Sequence, residues 1–272
     1  GENVIMAGED FQIGESILPA GKTIGHAELG ALMSLGITSI EAYRPPKVAV
    51  ISSGDELVPP KEKLTRGMIR DINLYTIGAL VEGLGALPTL FPRVPDEFDE
   101  LLEVGKKAME VSDMIVFTSG SSISSRDLTA QVINKMGSPG VLIHGLSVKP
   151  GKPTILGFSG GKPIIGLPGN PVSAITIFKA VVDPLLRLIS GKKIFPRLKI
   201  VEAILNSNLP STSGRMDYVR VQLKNKNGET FAVPVHGKSN LISTILESDG
   251  YVEIDSESSG IYKGTLLEVY LD

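Results

Sequence analysis

Apolar and polar positions along the chain fall into three regimes. From residue 46 to 193, short continuous apolar runs alternate with helical periods. Val48-Ala49-Val50-Ile51 and Met114-Ile115-Val116-Phe117 are uninterrupted, the pattern of strands buried on both faces. Between them, Leu74, Ile77, Val81 and Leu84 fall on one stripe of a helix that begins near Asn73. Leu90-Phe91 belongs to a second strand. A helix beginning at Asp96 turns Phe98, Leu101, Leu102 and Met109 inward, and a third helix spans Leu128 to Met136. Ile164-Ile165-Gly166-Leu167 is a late strand, followed by an amphipathic helix carrying Val172, Ile175, Phe178 and Val182. This alternation predicts an α/β unit, a three-layer arrangement around a mostly parallel, doubly wound sheet. Ligands of such sheets sit beyond the carboxyl ends of the strands.

The flanks read differently. Residues 1–45 form a small mixed segment that ends at the Pro45-Pro46 joint. Ile17-Leu18-Pro19-Ala20-Gly21 reads as an exposed turn, and Ala27 to Leu35 as a short helix stopped by Gly36. Ser39-Ile40-Glu41-Ala42-Tyr43 alternates like a half-buried strand. In residues 194–272 the period becomes two: Val219, Val221 and Leu223 alternate with Arg220 and Gln222. Val252, Ile254, Leu267, Val269 and Leu271 continue it, and Asn227-Gly228 is a hairpin turn signal. A small C-terminal β-barrel or sandwich accounts for this pattern.

Composition narrows the function classes. Of 272 residues, 42% are apolar, enough for sizeable cores, and 27 basic against 30 acidic side chains leave a net charge of −3. No global field favours nucleic acid or an anionic membrane. The chain has no cysteine, so a disulfide framework, a thiolate metal site and a cysteine nucleophile are all excluded, and any metal must bind oxygen or histidine. No run approaches the roughly 18 apolar residues of a membrane span, and Gly1-Glu2-Asn3-Val4 does not open a signal peptide. A cytoplasmic protein is the expectation. The start, without methionine and in mid-pattern, suggests a processed or trimmed chain.

Four loops carry candidate chemistry. Ser52-Ser53-Gly54-Asp55-Glu56-Leu57 follows the first strand, and the adjacent carboxylates of Asp55 and Glu56 suit a hard cation such as Mg²⁺. They equally suit an acidic turn that caps the next element. Thr118-Ser119-Gly120-Ser121-Ser122-Ile123-Ser124-Ser125-Arg126-Asp127 follows the third strand. Its small residues admit a ligand to the backbone, and its hydroxyls and amides can hold a phosphate. Asp127, at the N-terminus of the next helix, is either a functional carboxylate or an N-cap. Lys149-Pro150-Gly151-Lys152-Pro153-Thr154 brackets two lysines with prolines around a permissive glycine, presenting a rigid pair of cations to a phosphate or oxyanion. Solvated surface lysines are the alternative. Gly166-Leu167-Pro168-Gly169-Asn170-Pro171 leads from a strand into a helix with Pro171 in its first turn, which builds a further anion site or only a tight connection.

Other motifs fail. Gly151-Lys152, Gly161-Lys162 and Gly237-Lys238-Ser239 each lack the upstream glycine of a P-loop, having Leu146, Leu156 and Ala232 there. His26, His144 and His236 are far apart without ligand spacing and read as structural or surface residues. No nucleophile elbow is present.

Taken in order, the motifs resemble the molybdopterin molybdenumtransferase family, whose relatives include the C-terminal domain of gephyrin. The matching stretches are Gly8-Glu9-Asp10, Ser53 to Leu57, Ile69-Arg70-Asp71-Ile72-Asn73, Pro150-Gly151-Lys152-Pro153 and Leu167-Pro168-Gly169-Asn170-Pro171-Val172-Ser173. In the last segment they are Gly214-Arg215, Tyr218-Val219-Arg220 and Gly237-Lys238-Ser239. Residues 1–45 would then be the remnant of a linking domain, 46–193 the molybdopterin-binding domain and 194–272 the β-barrel domain. The resemblance implies a further N-terminal region before Gly1. It also implies a Mg²⁺-dependent insertion of molybdate or tungstate into adenylylated molybdopterin with release of AMP, in a homodimer. Asp55, Glu56 and Asp127 would hold Mg²⁺, orient water or both, and Asp10 would join the catalytic group from the first segment. Ser119, Gly120, Ser121, Ser122, Lys149, Gly151, Lys152 and Pro168 to Pro171 would bind the pterin nucleotide. The serine-rich loop departs from the family's commoner Gly-Gly-Val-Ser-x-Gly pattern, which leaves molybdenum and tungsten both open. The molybdopterin adenylyltransferase is an expected partner. It is also one alternative identity, disfavoured by the β-rich third segment and by Gly8-Glu9-Asp10, and a non-catalytic scaffold module is the other.

Overall fold

A computed structural model describes residues 3–119, 123–192 and 200–272, with the backbone alone for 123–126. The first segment holds one helix, α1 (His26–Ser34). It ends as the pattern predicts: Gly36 takes a positive φ of 72°, and the amides of Gly36 and Ile37 return to the carbonyls of Met33 and Leu32. That is the double closure that satisfies the last carbonyls of a helix. Ser39 to Tyr43, expected as a strand, is irregular and exposed. Among the described residues its alternation pairs with no sheet edge, and without a partner the pattern does not make a strand.

The middle region follows in chain order. β1 (Lys47–Ser53), β2 (Leu57–Val58), β3 (Ile69–Arg70), α2 (Asn73–Gly83), β4 (Leu87–Leu90), α3 (Phe98–Val111) and β5 (Met114–Ser119) come first. Then come α4 (Ile123–Met136), β6 (Pro139–His144), β7 (Val148–Lys149), β8 (Ile155–Ser159), β9 (Lys162–Leu167) and α5 (Pro171–Ile177). One π-helical turn, Phe178–Val182, joins α5 to α6 (Asp183–Ile189). The main sheet has the order β4-β1-β5-β9-β8-β6. β4, β1, β5 and β9 are parallel, while β8 and β6 add an antiparallel hairpin at one edge.

Two cores cover the two faces of this sheet. Alternate residues of one strand feed different cores: Val48 and Val50 pack with Leu74, Ile77, Ile177 and Phe178. Ala49 and Ile51 pack with Leu101, Phe117, Val132 and Ile133. Burial on both faces explains why β1 and β5 read as unbroken apolar runs. Helices α2 and α5 lie on one face, α3 and α4 on the other. The chain runs from β1 outward to β4 and then back past β1 to β5, so the winding reverses between β1 and β5. That reversal opens a crevice at their carboxyl ends.

The last region contains β10 (Ile200–Leu205), β11 (Leu209–Pro210), β12 (Met216–Lys226), β13 (Glu229–Pro234), α7 (Ser243–Leu246), β14 (Gly250–Ile254), β15 (Gly260–Ile261) and β16 (Leu266–Leu271). The order β13-β10-β16-β14-β12, with β12 pairing back to β13, closes a five-stranded barrel. Ala203, Leu205, Val221, Ala232, Val252, Ile254 and Val269 fill its interior. Asn227 and Gly228, both with positive φ (53° and 85°), make the tight turn between β12 and β13. Both values match the turn whose twist suits a two-residue hairpin.

Candidate functional site

A cleft of about 1140 Å³ runs between the sheet's loops and the barrel. One wall is the segment from Leu146 to Pro153 together with Pro168, Gly169, Asn170, Val172 and Ser173. The other is Leu209, Pro210, Ser213 to Arg215, Asp217 to Arg220 and Val235 to Asn240. The walls are tied together by backbone. β7 pairs in parallel with the start of β12, aligning Val148 with Met216 and Lys149 with Asp217. The Met216 amide donates to the Ser147 carbonyl at 2.9 Å.

The proline-glycine loop is as rigid as its composition suggests. Gly151 has φ 122°, and a Cβ there would stand 2.3 Å from Ile177 Cδ1. The Thr154 hydroxyl donates to the Gly151 carbonyl at 2.7 Å, and the Leu146 amide donates to the Lys152 carbonyl at 2.9 Å. Lys149 and Lys152 are exposed on this frame. Lys238 enters from the barrel wall. Among the described residues, no ion pair engages Lys149, Lys152 or Lys238. The two arginines are different. Arg215 Nε donates to the buried Asp217 at 2.9 Å, and buried Arg220 is bound to Asp272 and Ser248. Burial opposes ionisation of Asp272, but Arg220 and then Lys179 hold its carboxyl below the usual range. The cleft therefore presents three unneutralised ammonium groups and suits an anion.

The Pro168 to Pro171 connection is built differently from expectation. Pro171 does open α5, with Asn170 as N-cap in an extended conformation. The Asn170 side chain does not cap its own helix; its amide donates to Ser239 Oγ at 2.9 Å. The Val172 amide is taken by the Ser239 carbonyl at 3.1 Å. The barrel thus occupies a helix amide that the sequence had left for an anion. On the other side, the Asn73 amide group donates to the Gly169 carbonyl at 2.8 Å, which ties this loop to α2.

The predicted carboxylates do not line this cleft. Asp55 and Glu56 follow β1 at the reversal of the sheet, next to the end of β5, where Ser53 aligns with Ser119. Asp55 is exposed, and its Oδ1 accepts from the Asp96 amide at 3.3 Å. Asp127 is exposed too. It is not an N-cap: α4 begins at Ile123, so Asp127 lies in the second turn. Asp10 is exposed in the first segment. Ser119 is buried at the end of β5, whereas Gly120, Ser121 and Ser122 lie outside the described residues. Among the described residues, no group of three or more histidine or acidic side chains converges on a metal position. Two adjacent carboxylates are nevertheless what Mg²⁺ uses when phosphate oxygens and water complete its octahedron. Asp55 and Glu56 are hard oxygen donors of that chemical type. Arg215, His236, Lys238 and Ser239, all cleft residues, were not singled out as site residues by sequence reasoning. For Arg215, Lys238 and Ser239 the signal was the motif match in the barrel, and His236 had none, because the barrel loops come to the sheet only in three dimensions.

Two family models cover most of the chain. A probable molybdopterin binding domain matches residues 49–188, and the MoeA C-terminal region (domain IV) matches residues 202–271. The chain belongs to the molybdopterin-binding family of the MoeA type. It is 32% identical to the molybdopterin molybdenumtransferase of Haemophilus influenzae over 98% of its length, covering 66% of that protein. It is 28% identical to the enzyme of the same name from Staphylococcus aureus over 99% of its length, covering 64% of it. A crystal structure of the molybdopterin biosynthesis MoeA protein from Pyrococcus horikosii superposes with a TM-score of 0.84 at 34% identity. It covers 97% of this chain and 64% of that one. The chain thus spans about two thirds of the length of the relatives it matches.

Proposed function

We propose that the protein inserts molybdate, or tungstate, into adenylylated molybdopterin with release of AMP. The observation that carries this reading is the cleft with Lys149, Lys152 and Lys238 unneutralised on its walls. A pterin nucleotide brings a pyrophosphate that needs such charges, and the molybdate or tungstate oxyanion adds more negative charge. Lys149 and Lys152, held by Gly151, contact phosphate oxygens. Ser119, Gly120, Ser121, Ser122 and Pro168 to Pro171 shape the pterin end. Asp55 and Glu56 would hold Mg²⁺, and an ion bound there would supply compensation for the negative charge of the substrate. Asp127 and Asp10 orient the water. That water adds to phosphorus, the pyrophosphate bond breaks and AMP leaves; the molybdate or tungstate then binds the two dithiolene sulfurs, and one of its oxo oxygens leaves as water with the two sulfur protons. Positioning and electrostatic stabilisation suffice for such a step.

The organisation proposed is a linking segment at 1–45, a molybdopterin-binding domain at 46–193 and a barrel domain at 194–272, in a cytoplasmic homodimer served by the molybdopterin adenylyltransferase. Among the described residues, no helix is long and apolar enough to cross a membrane. The test is to mix the full-length protein with adenylylated molybdopterin, Mg²⁺ and molybdate and to follow AMP. The expected result is molybdate-dependent AMP release. AMP-transfer activity on unmodified molybdopterin would point to the adenylyltransferase, and binding without AMP release to a scaffold role.

A further inference from the structure

Arg93 stands in none of the motifs, on the segment that leaves β4. Its Nη1 lies within hydrogen-bond distance of three carbonyl oxygens of one loop: Gly54 at 3.2 Å, Asp55 at 3.2 Å and Leu57 at 3.1 Å. The surrounding segment holds the same loop. The Val94 amide donates to Ser52 at 2.9 Å, and the Gly54 amide donates back to Val94 at 3.3 Å. The Asp96 amide reaches Asp55 Oδ1 at 3.3 Å. Gly54 takes φ 154°, and Glu56 Oε2 lies 3.0 Å from where a Gly54 Cβ would stand. Three carbonyl dipoles that converge on one point repel each other unless a cation sits there. A guanidinium is fixed, planar and always charged, so it meets that need better than water does.

We propose that Arg93 is a positioning residue, one that sets the Gly54–Leu57 loop so that Asp55 and Glu56 are presented together at the reversal of the sheet. It touches neither carboxylate group and acts through the backbone that carries them. The inference rests on the proposed role of that loop in the reaction. Binding of the nucleotide belongs to the lysine cleft, so loss of Arg93 should act on turnover and on the Mg²⁺ requirement more than on substrate affinity.

The test uses the full-length protein with Arg93→Ala, Arg93→Lys, Asp55→Asn and Glu56→Gln. For Arg93→Ala, kcat for AMP release should fall about tenfold with KM changed less than about twofold, the split expected when only the reacting geometry is lost. The Mg²⁺ concentration for half-maximal rate should rise about tenfold. Arg93→Lys should recover part of the loss, and millimolar guanidinium ion should raise the rate of Arg93→Ala but not of Glu56→Gln. Hydrogen exchange at the Gly54 and Leu57 amides should quicken about tenfold or more without substrate present. Parent-like kcat and Mg²⁺ dependence in Arg93→Ala, with Glu56→Gln slow, would overturn the inference and leave the loop reading standing. So would a loss in Arg93→Ala that neither lysine nor guanidinium relieves. Parent rates in both Asp55→Asn and Glu56→Gln would overturn the role of the loop itself, and the inference with it.

Discussion

Lys152 and Asp127 carry the two residue-scale predictions. Lys152 projects from a loop whose backbone is held by Thr154 and Leu146, so ligand binding needs little further ordering there. Lys152→Ala should weaken binding of molybdopterin or its adenylylated form by roughly 10- to 150-fold, the equivalent of about 1.5–3 kcal/mol for a charged hydrogen bond. Affinity of the parent should also fall as salt rises. A titration of both proteins at two ionic strengths checks this, and unchanged affinity would return Lys152 to a solvated surface lysine. Asp127 lies in the second turn of α4 and is exposed, so an asparagine there should keep the fold, the two residues having similar helix propensity. If Asp127 serves the reaction, Asp127→Asn should slow AMP release by on the order of 10²-fold. Equal rates would make it an ordinary helix-surface carboxylate. Gly151 was legible as a conformational requirement. Arg93 was not, because a lone arginine after a strand has no spacing to announce three carbonyls brought in from another loop.

At the scale of elements, the ion pair between Arg44 and Asp113 ties the first segment to the sheet. Arg44 meets both oxygens of Asp113 at 2.6 Å, and the Lys47 amide adds a bond at 2.8 Å. The Arg44 guanidinium, foremost by hydrogen bonding, holds the Asp113 carboxyl down at about 2 against the opposing effect of burial. A carboxylate lowered on folding stabilises above its unfolded value and loses that contribution as pH falls through its folded one. Asp113→Asn should therefore lower the melting temperature by roughly 2–4 °C at pH 7, about 1 kcal/mol, since Arg44 is 67% exposed. The difference should close between about pH 4 and pH 2. Calorimetry across that window checks it; a gap that persists at pH 2 would remove the ion pair as its cause. Helix and strand positions in the middle region were largely legible, with boundary shifts: α3 starts at Phe98, not Asp96, and α4 at Ile123, not Leu128. The hairpin of β6 and β8 was not legible. Gly157 interrupts the apolar run of β8, and strand pairing across the sheet makes it regular where local pattern does not.

At the scale of the whole molecule, the first segment has little to bury itself against. Among its described residues Leu32 is the one buried apolar side chain, while Ile5 and Ile13 are 77% and 108% exposed. A piece this small cannot hold a core of its own. The proposed homodimer gives these side chains a partner. Light scattering of the full-length protein at micromolar concentration should report twice the chain mass, and a monomer at all concentrations would count against it.

Sequence alone determined the winding of the sheet, the closure into β-structure after residue 200, the rigid lysine loop and the family. Each of these is written in local periods, in turn residues or in ordered motifs, and local chemistry is enough to impose them. Only the tertiary structure decided that the carboxylates stand apart from the lysine cleft, that the Val172 amide is taken by Ser239, and that Arg93 gathers the carbonyls of another loop. Those are relations between segments far apart in the chain. Their energies come from pairing, burial and charge across space, which no period within one segment records.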